Sequence, residues 1–129
     1  MTGVGGSRLL AAGAAVLTVA AGLGVRAVAG GDLAKYAGDA LYTVLILTLV
    51  ALIAPRARPL VAAGTALAIS WAVEFAQLTG IPAELSARSA AARLVLGSTF
   101  NAPDLFWYAV GAAVAGCAYA WVARRRTAG

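Results

Sequence analysis

The sequence predicts an all-α integral membrane protein: a bundle of four transmembrane helices, with a short interfacial helix before the last span. Two observations predict it. Of the 129 residues, 62% are hydrophobic and only 12% charged, with a mean hydropathy of +0.87, whereas soluble domains carry roughly 25% charged residues. The charges also leave four gaps, Leu9–Val25, Ala40–Pro55, Pro59–Val73 and Leu105–Ala123. A helix needs roughly 17–25 apolar residues to cross the hydrocarbon core, and these gaps approach or meet that length. Nothing else is long enough to build a separate core. Residues 1–129 therefore read as one membrane domain, with spans at about 9–28, 37–54, 60–79 and 104–123.

The first run follows Arg8 and a Gly-rich start in which Gly3, Gly5 and Gly6 imply only flexibility. Ala27-Val28-Ala29 resembles a secretory cleavage site. The uncharged stretch is longer than a usual signal core, and three further runs follow, so a retained first helix would complete an even bundle. Both readings stay open, with retention the expectation. The second run ends at Pro55-Arg56-Ala57-Arg58-Pro59, a Pro-bracketed basic turn that cannot continue a helix and reads as a tight loop between antiparallel spans. The third ends at Gly80-Ile81-Pro82, a stop signal. Ala83–Leu96 has helix-forming composition and reads as a short helix in the interface, the alternative being an irregular polar loop. The fourth run ends against Arg124-Arg125-Arg126. Two stripes of small residues, Gly64/Ala68/Ala72/Ala76 and Ala14/Thr18/Gly22, offer candidate packing seams. The abundance of alanine throughout makes chance an equal explanation.

Charge and composition exclude several function classes. The net charge of +5 comes from basic residues at the edges of apolar runs, where Lys and Arg orient spans, so nucleic acid is not the expected partner; the lipid bilayer is. With four spans, one side holds Arg8, Arg56, Arg58 and the Arg124–Arg126 run, and the other Arg26, Lys35, Arg88 and Arg93. That bias predicts a multi-pass protein of a bacterial inner (cell) membrane with both termini cytoplasmic. There is no histidine, which removes Ser-His-Asp triads and His-ligated metal sites. The single cysteine, Cys117, lies inside the last run and reads as an apolar filler. No nucleophile–base pair, metal-ligand spacing or phosphate-cradling loop is present, so no cofactor is expected and enzyme status stays open.

The informative pattern is where the acids lie. All five, Asp32, Asp39, Glu74, Glu84 and Asp104, fall on the side opposite the Arg56/Arg58 turn, together with Arg26, Arg88 and Arg93. Glu74 sits six residues before Gly80, roughly 9 Å of helix rise. Hydrocarbon tolerates a carboxyl poorly, so such a residue faces the bundle interior and finds a partner. Ser70, Trp71 and Gln77 share its helical face. Asp104 and Tyr108, four apart, share a face of the last span. Capping is the simpler account of Asp39 or Asp104 taken alone; taken with Glu74 and the arginines, a shared polar pocket is expected.

Gly22-Leu23-x-x-Arg26, Tyr36-x-Gly38-Asp39-Ala40-Leu41 and Val73-Glu74-x-x-Gln77-Leu78, followed by Arg88, Leu94-Val95-Leu96-Gly97-x-x-Phe100 and Asp104-Leu105-x-x-Tyr108-x-x-Gly111, resemble the domain of unknown function 2809, a family of small bacterial membrane proteins. The resemblance runs from about Leu9 to the end of the fourth span. Tyr42 stands where that family usually has tryptophan, Ala83–Ala87 lacks its aspartate, and Ala92 replaces a glycine. More distantly, the Glu-x-x-Gln pair and the arginine, aspartate and glycine that follow resemble the VanZ-like proteins, some of which are associated with glycopeptide-antibiotic tolerance. The resemblance implies architecture and site positions rather than an activity.

Three functions compete. In the first, Arg26, Asp39, Glu74, Gln77, Arg88, Asp104 and Tyr108 form a ligand-binding pocket for an envelope lipid or glycan head group at the outer face, the arginines (Arg93 included) taking an anion through their planar donor forks. In the second, the same residues only stabilise the bundle of a structural or accessory protein. In the third, Glu74 titrates in an ion-coupled transporter; four short helices would need oligomers for that, and no inverted repeat is visible. The sequence leaves the oligomeric state open.

Overall fold

The computed structural model describes residues 4–96 and 100–128, all of whose regular elements are helical. Helices α1 (Val4–Val28), α2 (Gly31–Ile53), α3 (Pro59–Ala76) and α6 (Ala102–Ala128) are the long ones; α4 (Ile81–Arg88) and α5 (Ala90–Leu96) are short. The four long helices, α3 with a 3₁₀ turn at Gln77–Thr79, are long and apolar enough to cross a membrane. Helix α1 starts at Val4, so Gly5 and Gly6 are helical rather than a loose leader. Gly3, and Gly97 of the family-like pattern, lie outside the described residues.

Local chemistry sets the boundaries. Pro59 opens α3 at the first helical position, where its missing N–H costs nothing. The α2–α3 turn is held by the Ala57 N–H on the Ala54 carbonyl at 3.0 Å. Gly80 ends the 3₁₀ turn at φ +81°, a left-handed conformation that glycine adopts without a steric penalty. The interfacial segment is two helices, not the single one expected. The backbone is extended at Ser89, φ −148° and ψ 128°, and its hydroxyl accepts from the Ala92 N–H at 3.3 Å. Ser89 thus caps α5 where it interrupts α4, as serine does at helix starts.

Helices α2, α3 and α6 pack on one another, and α1 packs along α2. Helices α2 and α6 start at the same end, with Tyr36 stacked on Trp107 at 5.4 Å, and α3 runs antiparallel to both. At Gly111 an added Cβ would overlap the Ala40 carbonyl, so α2 and α6 meet backbone to backbone. Small residues at such crossings let helices approach closely in lipid.

The interior mixes polar side chains with a small apolar cluster of Leu47, Ala62, Ala66 and Ala115. The largest fully buried side chains are Glu74, Thr43 and Ser70, while Leu9, Leu17, Val28, Leu60 and Phe106 are exposed. Hydrocarbon outside needs no apolar core inside; packing and interhelical hydrogen bonds supply the association. The buried face of α3 is Ala62, Ala66, Ser70 and Glu74. The stripe Gly64/Ala68/Ala72/Ala76 lies exposed on the other side, because Glu74 and Ser70 turn their own face inward. In α1, Ala14, Thr18 and Gly22 are half-buried.

Candidate functional site: a polar cluster at one end of the bundle

Glu74 sits near the C-terminal end of α3, beside the first turns of α6, and is completely enclosed. Its Oε1 accepts from the Tyr108 hydroxyl at 2.9 Å and its Oε2 from the Asn101 backbone N–H at 2.7 Å. Asn101 immediately precedes α6, so its N–H is one of the donors a helix start leaves without an intrahelical partner. A glutamate usually reaches such a group from the same helix in a capping box; here α3 supplies it. The positive end of the α6 dipole adds to the attraction. One turn earlier on α3, the Ser70 hydroxyl pairs with that of Thr43 on α2 at 2.8 Å. Tyr42 lies against Tyr108 with ring centroids 5.9 Å apart.

Asp104, on the first turn of α6 and 4% exposed, receives the Asn101 side-chain amide at 3.0 Å and the Lys35 ammonium at 2.6 Å, both on Oδ1. Lys35, on the first turns of α2, also lies 4.0 Å from Asp39 Oδ2. Its side chain is 42% exposed, so the cluster runs from a dry carboxyl at Glu74 to an ammonium reachable from outside. Helices α2, α3 and α6 each contribute, and Lys35 sets a single ammonium among three neighbouring carboxyl groups.

Gln77, one turn beyond Glu74, donates to the Leu96 carbonyl at 2.6 Å. Phe75 stacks on Phe100 at 5.9 Å. These two contacts tie the excursion between α3 and α6 to the end of α3. Trp71 lies at the rim, its indole N–H on the Leu105 carbonyl at 3.0 Å.

Of the residues expected at a shared pocket, Glu74, Asp104 and Tyr108 come together around Asn101, with Asp39 beside both Asp104 and Lys35. Gln77 borders them and turns toward α5. The arginines do not join. Arg26 is exposed at the end of α1. Arg88 pairs with Glu84 of its own helix at 3.1 Å, with 73% of its side chain exposed. Arg93 donates to the Ser86 carbonyl at 3.2 Å, bracing the α4–α5 corner. The cation in the cluster is Lys35, and the centre of its hydrogen bonding is Asn101, neither of which was singled out from the sequence. Two spacings carry the signal: Lys35 and Asp39 share a helical face at i,i+4, and Asn101-x-x-Asp104 has the form of a cap at the start of a span. Among the described residues no group of three or more His, Cys, Asp or Glu side chains could hold a metal ion.

These features define a helical multi-pass membrane protein with a polar cluster buried between three of its spans. The chain belongs to the family described as protein of unknown function (DUF2809), which matches residues 29–112. That range takes in α2 through the first half of α6, and with them every member of the cluster. No curated protein and no solved structure matches the chain.

Proposed function

We propose that the protein is an accessory membrane component whose polar cluster is an interhelical lock, holding α2, α3 and α6 in one register. The observation that carries this reading is the enclosure of Glu74, each of whose oxygens is engaged by a donor from its own chain. A group that handles a ligand needs an edge the ligand can reach, and Glu74 has none. The lock reading expects Glu74→Ala to lose folded protein and Glu74→Gln to keep it, any cellular phenotype following the amount of folded protein. A Glu74→Ala chain with unchanged yield and melting in detergent rejects it.

A second reading, binding of an envelope lipid or glycan head group, is favoured by a different observation. Asp39 Oδ2 and Gln77 Oε1 are buried without a hydrogen-bond partner among the described residues, and Lys35 beside Asp39 is half-exposed. Gln77 Oε1 accepts, and Asp39 Oδ2, 4.0 Å from the Lys35 ammonium, accepts or carries a proton, so glycan hydroxyls, which both donate and accept, suit the pair. Phosphate contacts from Arg26 and Arg88 are no part of this version. Binding of labelled envelope lipids to Asp39→Asn and Gln77→Leu chains tests it, and unchanged binding in both rejects it. The arginine bias supports a bacterial inner-membrane setting with both termini cytoplasmic and the cluster toward the outer leaflet. Reporter fusions at the two ends test that orientation.

A further inference from the structure

At the end of the bundle opposite Glu74, a cleft of about 1400 Å³ opens between α1 and α6, with α2 as its floor. Leu10, Ala14, Leu47, Val114, Ala118 and Val122 give it apolar walls. The Pro55–Pro59 turn closes one end and brings Arg56 and Arg58 to its mouth. That turn is held in place: the Tyr119 hydroxyl of α6 lies 3.5 Å from the Pro55 carbonyl and 3.3 Å from that of Ala57. At the same end Arg8 donates to the Leu52 carbonyl at 3.1 Å, and Arg125 stacks over Trp121 at 4.6 Å.

Among the described residues no Asp or Glu side chain pairs with the arginines at this mouth. Every acid of the chain belongs to the opposite half of the bundle. Arg56 and Arg58 are exposed and make no ion pair among the described residues. An apolar cleft in a membrane span fills with whatever hydrocarbon fits, and a basic rim selects what that hydrocarbon carries. We propose that the cleft holds the acyl chains of an anionic phospholipid, with its phosphate on Arg56 and Arg58. Guanidinium forks suit phosphate oxygens, and basic pockets between spans are recurrent sites for anionic head groups. A second copy of the chain fits this end poorly. Symmetric partners in one membrane meet same end to same end, which would set arginines against arginines with no Asp or Glu side chain between them.

Native mass spectrometry of the full chain in detergent, titrated with phosphatidylglycerol and separately with phosphatidylcholine, tests the proposal. Phosphatidylglycerol is expected to saturate at one per chain and to bind more tightly than phosphatidylcholine. Removing a guanidinium at the mouth is worth about fivefold, so Arg56→Gln with Arg58→Gln is expected to bring phosphatidylglycerol down to the phosphatidylcholine level. Both positions lie on an exposed turn, so folding is preserved. Ala118→Trp, which fills an exposed wall position, is expected to weaken both lipids together. Equal binding of the two lipids, undiminished phosphatidylglycerol binding by the double variant, or a dimer that excludes lipid from the cleft would each overturn the assignment.

Discussion

Replacing Glu74 by alanine strips the buried Tyr108 hydroxyl and the half-buried Asn101 N–H of their acceptor at once. The Tyr108 hydroxyl lies 2.9 Å from Oε1 and the Asn101 N–H 2.7 Å from Oε2, and Glu74 itself has no exposed surface. A buried donor left unsatisfied costs about 1–3 kcal/mol and a half-buried one less, so the two together come to roughly 2–4 kcal/mol, a large share of a typical domain's stability. Glutamine changes much less. Its carbonyl can accept from Asn101, and its amide can donate to the Tyr108 oxygen, since a phenol hydroxyl donates or accepts; about 1 kcal/mol is expected. Unfolding by titrated SDS, followed by circular dichroism, measures both variants against the parent. Adding Tyr108→Phe to each variant closes a double-mutant cycle that isolates the Oε1 bond. If Glu74→Ala unfolds with the parent, or Glu74→Gln falls as far as alanine, the hydrogen bonds are not what holds α3 to α6.

Three further outcomes are expected. Gly111→Ala pushes a methyl into the Ala40 backbone, which has no side chain to swing aside, and overpacking of this kind costs about 1–3 kcal/mol. Gly116→Ala meets only the Ala63 methyl at 3.0 Å and should cost visibly less in the same SDS titration. Lys35→Met removes the ammonium 2.6 Å from Asp104. With Lys35 42% exposed, the loss is closer to about 1–2 kcal/mol than to the cost of breaking a dry pair. Adding Asp104→Asn should recover part of it in detergent melts, and no recovery would mean the two do not interact. Gln77→Leu frees the Leu96 carbonyl; hydrogen exchange should speed up across residues 81–96 while α2 and α3 keep their protection.

The four spans were readable because each rests on a local property, a run without charge closed by proline, glycine or arginine. Glu74's place in the interior was readable too, since one carboxyl in hydrocarbon dictates which face of its helix turns inward. The partners were harder. Asn101 meets Glu74 through a backbone N–H, a group every residue but proline carries, so its side chain gave no sign of the bond. In the sequence Lys35 reads as an edge charge, since its partner Asp104 lies 69 positions away. The arginines drew attention as the more numerous cations, yet Arg88 finds Glu84 one turn away on α4, and a local partner of that kind competes with any distant one. In α3 the stripe Gly64/Ala68/Ala72/Ala76 does not pack within the chain; small residues stand on both faces, and only the polar pair Ser70 and Glu74 distinguishes them.

The bond between Glu74 and the start of α6 bears on the order in which the chain is made. Its two donors are encoded 27 and 34 positions downstream. During synthesis α3 therefore leaves the ribosome carrying a carboxyl whose two hydrogen-bond donors do not yet exist. Arrival of the last helix supplies both donors in a single step, so a chain halted before Asn101 leaves that carboxyl without either of them.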